Sequence, residues 1–134
     1  MVDDEKVFCM ILEKRLQALG FESRSALSAH EALDLLKDVE PEMIITDLMM
    51  PKMDGIEFTR VLRKKRKLLD TYILMLSARS DKEAMVESKK AGANEYVSKP
   101  IDDDELSIKI DIGIKWSKKR REKEQRKGRS YKIG

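Results

Sequence analysis

Two short apolar runs limit most strongly how this chain can fold. They are MIIT (Met43 to Thr46) and YILMLSA (Tyr72 to Ala78), and a helical pattern over Ile56 to Arg66 lies between them. Strands without alternating polar residues are typical of a sheet that is covered on both faces. Because such strands alternate here with helices, we predict a parallel sheet with helices on both sides.

The rest of the chain continues this alternation. Ser28, with Glu31 three residues later, forms a capping box that predicts the start of a helix. Gly20 and Gly92 are placed to end helices, and Pro41 and Pro100 separate segments. The further predicted helices cover Val7 to Leu19, Ala29 to Lys37, Asp81 to Ala91 and Asp102 to about Lys118, and the further short strands cover Phe21 to Leu27 and Glu95 to Lys99.

Composition narrows the class of protein. The chain has 134 residues, enough for one domain, and no apolar run long enough to cross a bilayer. One cysteine and one histidine exclude an internal disulfide and argue against a structural zinc site, so we expect a cytoplasmic protein.

The segment from Lys115 to Lys132 has ten Lys or Arg and two Glu. We read it as a solvated helix face, and without a helix-turn-helix or aromatic stacking signal we do not expect nucleic acid as a partner.

Polar residues stand where the predicted strands end. Asp47 follows one strand, Ser77 ends the next, and Lys99 ends the last. Ligands bind at this edge of an open parallel sheet. Asp3 and Asp4 add two carboxylates, which would repel Asp47 unless a cation lay between them. Mg²⁺ fits oxygen ligands shared with a phosphate better than Ca²⁺ does. A carboxylate can also attack phosphorus and form an aspartyl phosphate.

Four separated motifs now stand in order: DD (Asp3-Asp4), TDLMMPKMDG (Thr46 to Gly55), SA (Ser77-Ala78) and SKP (Ser98 to Pro100). Together they resemble the receiver domain of two-component response regulators, over Met1 to about Lys118. The resemblance implies an α/β, flavodoxin-like, doubly wound sheet of five parallel strands in the order 2-1-3-4-5.

The resemblance also implies roles for the site residues. Asp47 would be the phosphoacceptor, and Lys99 would contact the phosphoryl group. Mg²⁺ would be held by Asp47, by Asp4 directly, by Asp3 through water and by the backbone carbonyl of Met49. Ser77 would be the switch hydroxyl and Tyr96 the switch aromatic. In this family the bond that corresponds to Lys99-Pro100 is often cis.

Several functions follow from this. The leading one is a switch that takes a phosphoryl group from a histidine kinase, a phosphotransfer protein or a small phosphodonor, and that catalyses only its own phosphorylation and dephosphorylation. A phosphohydrolase of the haloacid dehalogenase type would need a second Asp two residues after Asp47, where this chain has Met49. A third alternative is a rearranged receiver scaffold whose role is assembly.

The first strand is the point of departure from the family, because only Met1 and Val2 precede the acidic pair. The strand-like end, residues 130–134 (SYKIG), would join MVDDE to complete a first strand. This suggests a circular permutation, engineered or natural; the rival is a receiver fragment with a basic tail. The predicted parts are a body over 1–118, a connector or helix extension over 119–129, and the strand over 130–134. An unbroken helix would overshoot its own sheet and could pass the strand to a second copy, giving a homo-oligomer.

Overall fold

The computed structural model describes the backbone of residues 1–133 and the side chains of residues 1–125. Helices and strands alternate as expected from β1 onward. The elements are α1 (Lys6–Ala18), α2 (Ala29–Leu35), β1 (Met43–Thr46), α3 (Gly55–Arg63), a 3₁₀ turn (Arg66–Leu68), β2 (Tyr72–Ser77), α4 (Lys82–Ala91), β3 (Glu95–Ser98) and α5 (Asp103–Ile133). Most bounds lie within one to three residues of the prediction; α5 is the exception.

The three strands form a parallel sheet in the order β1-β2-β3. Met43 pairs with Tyr72, and Leu74 pairs with Glu95, so each strand enters the sheet at the same edge. All six residues of β2 are buried, because helices cover both faces of the central strand. The carboxyl ends of the strands therefore meet at one edge, as the apolar runs predicted.

Val2 extends this order by a single residue. It forms parallel bridges to Ala26 on one side and to Thr46 on the other. Its amide donates to the Ile45 carbonyl at 2.8 Å, and the Asp3 amide donates to the Ala26 carbonyl at 3.1 Å. The lateral order is therefore Ala26, Val2, β1, β2, β3, which agrees at these positions with the order 2-1-3-4-5.

Over residues 1–133, however, the described backbone forms three regular strands and not five. Residues 21–25 belong to no helix or strand, and within this segment only Ala26 makes a bridge, so the predicted strand over Phe21 to Leu27 is not seen. A strand needs a partner along its length, and the backbone contacts of this segment with Met1, Val2 and Asp3 are confined to Arg24 and Ala26.

Two apolar cores lie on the two faces of the sheet. The first contains Val2, Ile44, Phe58, Leu62 and Ile73 and is covered by α2 and α3. The second packs α1 and α5 against the other face, with residues that include Leu12, Ile45, Leu74, Leu106 and Ile110. A doubly covered sheet of this kind is the layered α/β architecture that the pattern predicted.

The helix ends follow the local sequence signals. The Ser28 hydroxyl accepts a hydrogen bond from the Glu31 amide at 3.1 Å, which confirms the predicted cap. Gly92 ends α4 with a φ of 117°, a conformation that glycine adopts without strain. The Lys99-Pro100 bond is cis, as expected.

The last helix continues well beyond Lys118. It packs on the sheet as far as Ser117, whose hydroxyl donates to the Asp70 carbonyl at 2.6 Å, and it is helical to Ile133. Residues 119–129 are thus a helix extension, and the predicted strand over 130–134 is not seen in residues 130–133. Gly134 lies outside the described residues. The long run of Lys, Arg, Glu and Gln has high helix propensity, which favours continuation of the helix over a local change to a strand.

Candidate functional site

The predicted site residues come together at the carboxyl edge of the sheet. Asp3, Asp4 and Asp47 each offer a carboxylate oxygen, and these oxygens lie within 4.8 Å of one another. Asp3 and Asp47 are buried and Asp4 is exposed. Asp3 follows the Val2 bridge and Asp47 follows β1, so adjacent positions of the sheet deliver both buried acids.

Lys99 holds the two buried acids together. Its Nζ donates to Asp3 Oδ2 at 2.8 Å and lies 3.6 Å from Asp47 Oδ2. Burial acts to lower the pKa of Lys99, but the hydrogen bond to Asp3 and the charge of Asp47 outweigh it, so this pKa is raised. Lys99 is therefore a cation at neutral pH, and it sits at the end of β3 as predicted.

The two oxygens of Asp47 have different surroundings. Oδ1 accepts hydrogen bonds from the amides of Leu48 at 2.8 Å and Met49 at 3.4 Å, while Oδ2 faces Lys99. Burial raises the pKa of the Asp47 carboxyl, the Asp3 carboxylate raises it further, and Lys99 and the two amides oppose the rise. The ionised form of Asp47 is therefore less stable in this site than it would be in water.

Such a donor set fits a hard divalent cation. Three carboxylates with one ammonium leave the site with excess negative charge, and a dication would relieve the repulsion that raises the pKa of Asp47. Asp3 Oδ1 already accepts from the Glu5 amide at 3.0 Å and Oδ2 from Lys99. Asp4, which is exposed, is the better placed of the pair to bind a metal directly.

Ser77 and Tyr96 are joined through one residue of the loop after β2. The Ser77 hydroxyl accepts from the Arg79 amide at 3.3 Å, and the Tyr96 hydroxyl donates to the Arg79 carbonyl at 2.6 Å. Both side chains are buried, and Tyr96 belongs to the same apolar cluster as Leu48, which follows Asp47. The two predicted switch residues therefore share a contact at Arg79, which the sequence had not singled out.

Two further residues shape the site and were missed by the sequence reasoning. The ring of Phe8 lies under the Lys99 ammonium, 4.1 Å from its centroid. Gly55 closes the loop after Asp47: its amide donates to the Leu48 carbonyl at 2.7 Å, and a Cβ there would lie 2.8 Å from Leu48 Cα and overlap the Asp47 carbonyl. The glycine was visible only as turn chemistry; its closeness to Asp47 needs the tertiary structure.

Comparison with known proteins agrees with this site. The response regulator receiver domain family matches residues 1–111. The chain is 38% identical over 110 residues to "Probable transcriptional regulator ycf27" of Porphyridium aerugineum, covering 82% of this chain and 45% of that protein. The chain thus spans less than half the length of this curated relative.

Solved structures give the same result. A putative response regulator from Chloroflexus aurantiacus is 33% identical with a TM-score of 0.80, covering 84% of this chain and 93% of that one. The chemotaxis protein CheY4 of Vibrio cholerae is 31% identical with a TM-score of 0.79, covering 82% and 92%. Fold and site define a receiver domain of two-component signalling. The chain belongs to the response regulator receiver domain family.

Within the residues that the structure describes, none of the helices combines the length and the apolar character that a membrane span needs.

Proposed function

We propose that this domain is a phosphoacceptor switch that takes a phosphoryl group on Asp47 in a site that binds Mg²⁺. The observation that carries the proposal is the cluster of Asp3, Asp4 and Asp47 within 4.8 Å, with Lys99 reaching both buried acids. Asp3, Asp4 and Asp47, with the Met49 carbonyl, would hold the metal. When bound, Mg²⁺ would offset the charge of the phosphoryl oxygens.

The chain's own residues prepare Asp47 for the transfer. The amides of Leu48 and Met49 hold Oδ1, so Oδ2 is the oxygen directed at the entering phosphorus. The new bond forms between Oδ2 and phosphorus as the bond from phosphorus to the donor breaks, and the leaving group keeps that electron pair. Lys99, 3.6 Å from Oδ2, then neutralises a phosphoryl oxygen.

Ser77 and Tyr96 couple the phosphoryl group to the surface. If the Ser77 hydroxyl turns to donate to a phosphoryl oxygen, the Arg79 amide loses its acceptor. The Arg79 carbonyl is also the acceptor for Tyr96, so the loop before α4 and the tyrosine rotamer change together. Phosphorylation would thereby bias α4, β3 and α5 between two arrangements.

A histidine kinase or phosphotransfer protein is the partner we propose. The start of α1 lies beside the site, because Phe8 contacts Lys99, so a donor that reaches Asp47 would lie close to this helix. Val7, Met10 and Ile11 on the same helix are exposed, at 70, 50 and 46%. An apolar stripe beside the site is suited to a partner helix. The cytoplasmic location and the assembly role considered from the sequence stay predictions.

The test is labelling with acetyl phosphate and Mg²⁺, followed by intact mass. We expect one phosphoryl group on the wild type and none on Asp47→Asn, with labelling lost when Mg²⁺ is chelated. Asp38→Asn is the matched control, because Asp38 is exposed in the turn that follows α2. Equal labelling of Asp47→Asn and wild type would exclude Asp47 as the acceptor. Continuous release of phosphate from a monoester would instead favour a hydrolase.

A further inference from the structure

The charged residues of this domain are unevenly distributed along the chain. Residues 63–70 and 115–121 together contain ten Lys or Arg and a single acidic residue, Asp70. Because the whole chain has a net charge of only +3, the remainder is net acidic. A segregation of this kind creates a positive potential over one part of the protein surface.

The two basic segments meet at the edge of the sheet where the strands enter. Arg120 Nε donates to Asp70 Oδ1 at 3.1 Å, two residues before β2 begins. Arg63 Nη1 donates to the Thr71 carbonyl at 2.8 Å, at the same strand entry. Burial lowers the pKa of Arg63, and the charge of Arg120 lowers it further, as expected of two neighbouring cations. The segments therefore adjoin at the edge of the sheet opposite to the aspartate cluster.

Structural contacts account for only part of the basic run over residues 63–67. Arg63 donates to three carbonyls and to a side-chain amide oxygen, and Lys67 donates to the carbonyl that ends α2. In contrast, Lys64, Lys65 and Arg66 are exposed, and no ion pair joins them to another side chain among residues 1–125. These three cations are therefore available to an anion outside the domain.

Helix α5 adds two cations beside this turn. The Arg120 guanidinium lies 4.8 Å from the centroid of the Trp116 ring and keeps about half of its side chain exposed, at 49%. Lys119 is exposed next to it, and among the described side chains it has no ion pair. The helix thus presents further positive charge at the same edge of the sheet.

One apolar side chain stands out among these cations. Leu68 is fully buried in the core, whereas Leu69, the next residue, is 45% exposed. The hydrogen bonds of Arg63 to the carbonyls of Leu68 and Thr71 hold the backbone on both sides of Leu69. The exposed leucine is therefore presented on a fixed turn, so little conformational freedom remains to be lost on binding.

We propose that this surface docks on a bilayer that contains anionic lipid, with its cations against the phosphate headgroups and Leu69 in the interfacial layer. We call it the basic surface, and it consists of Lys64, Lys65, Arg66, Leu69, Lys119 and Arg120. A cluster of this number of cations is sufficient to attract anionic lipid. The inference goes beyond the phosphoacceptor function and does not depend on it.

Leu69 favours a bilayer over a nucleic acid as the occupant. The cations alone would suit either polyanion, since both present phosphates. An exposed leucine gains from contact with acyl chains, whereas a phosphodiester backbone offers it no apolar partner. Docking by the basic surface would also leave the aspartate cluster, at the opposite edge of the sheet, facing away from the bilayer and open to a phosphodonor.

Co-sedimentation of the full chain with lipid vesicles tests the proposal. We expect binding to vesicles of phosphatidylcholine mixed with phosphatidylglycerol, no binding to phosphatidylcholine alone, and loss of binding at high salt. Each cation removed should weaken binding about fivefold, so the triple variant K64Q/K65Q/R66Q should bind roughly a hundredfold more weakly. The matched control K14Q/K82Q/K90Q has the same net charge and changes exposed residues elsewhere, so it should bind like wild type. Absence of binding to the anionic vesicles, or an equal loss in both triple variants, overturns the proposal.

A second comparison distinguishes lipid from nucleic acid. Leu69→Ser should weaken vesicle binding about tenfold, because the apolar contact is lost, and it should leave any binding of mixed-sequence duplex DNA unchanged. Equal vesicle binding by Leu69→Ser and wild type, or displacement of the chain from vesicles by duplex DNA at equal phosphate concentration, would show that lipid is the wrong partner. Circular dichroism and acetyl phosphate labelling of the same variants report the fold and the Asp47 site, so failure of either proposal is distinguishable.

Discussion

Replacing Lys99 by methionine tests the electrostatics of the site most directly. The substitution keeps an apolar chain over Phe8 but removes a charge that lies 2.8 Å from Asp3 and 3.6 Å from Asp47. At an effective dielectric constant of 20, attractions at these distances are about 5 kcal/mol each, before the desolvation of all three groups is subtracted. Breaking a buried ion pair costs about 3 kcal/mol or more after this correction.

We therefore expect Lys99→Met to lose about 3 kcal/mol of unfolding free energy without metal, which lowers Tm by roughly 10 °C for a domain of this size. Mg²⁺ should recover most of this loss, because the variant site carries one more uncompensated negative charge. Saturation at 100 times Kd stabilises by about 2.7 kcal/mol. Labelling by acetyl phosphate should nevertheless be slower, since the cation opposite the phosphoryl oxygen is absent.

The assay is thermal and urea unfolding at neutral pH with and without Mg²⁺. Lys109→Met is the matched control, because Lys109 makes a 3.1 Å contact with Glu95 at a partly exposed position away from the site. It should lose less than about 1 kcal/mol. An unfolding free energy of Lys99→Met close to that of wild type, with an unchanged Mg²⁺ response, would refute the electrostatic account.

Three other predictions concern Asp47, Gly55 and Arg63. The pKa of Asp47 in the folded state is raised from its ordinary value of 3.8. The contribution of this carboxyl to stability is therefore present below pH 3.8 and is lost as the pH rises through the raised pKa. Without Mg²⁺, Asp47→Asn should have a higher Tm than wild type at about pH 7, and it should have no such advantage below pH 3.8. Gly55→Ala should lower the unfolding free energy in urea by about 2 kcal/mol and slow the labelling of Asp47 by acetyl phosphate, because the added Cβ overlaps the Asp47 carbonyl. An unchanged labelling rate would contradict this prediction. Arg63→Met should lower the unfolding free energy in urea by roughly 3 kcal/mol, because the guanidinium donates to three carbonyls and to Asn94 Oδ1. Arg60 is exposed on the same helix, so the unfolding free energy of the control Arg60→Met should stay within about 1 kcal/mol of wild type.

The site was largely predictable because local rules determine where strands end. Asp47 and Lys99 each follow an apolar run, and parallel strands bring such ends to one edge of the sheet. The order and type of Asp3, Asp4, Asp47, Ser77 and Lys99 carried the resemblance to receiver domains, which the family comparison confirmed. The roles of these residues stay predictions until labelling is measured.

Contacts between distant segments were decided only by the tertiary structure. Gly55 reads as an ordinary turn residue until the fold places it against Asp47, and Phe8 reads as a core residue until Lys99 comes to lie on its ring. The link from Ser77 to Tyr96 through Arg79 likewise joins a strand end, a loop and a neighbouring strand. No local pattern encodes these approaches.

At the two ends of the chain, too, local sequence predicted some features and distant contacts decided others. The sequence by itself determined that SYKIG could be a strand and that a basic helical run precedes it. Whether this segment is a helix or a strand depends on the balance between local helix propagation and pairing with distant strands. In residues 130–133 of this structure the helix continues. Only the tertiary structure could show that Val2 lies between Ala26 and Thr46, because a β partner is chosen by segments far apart in the chain.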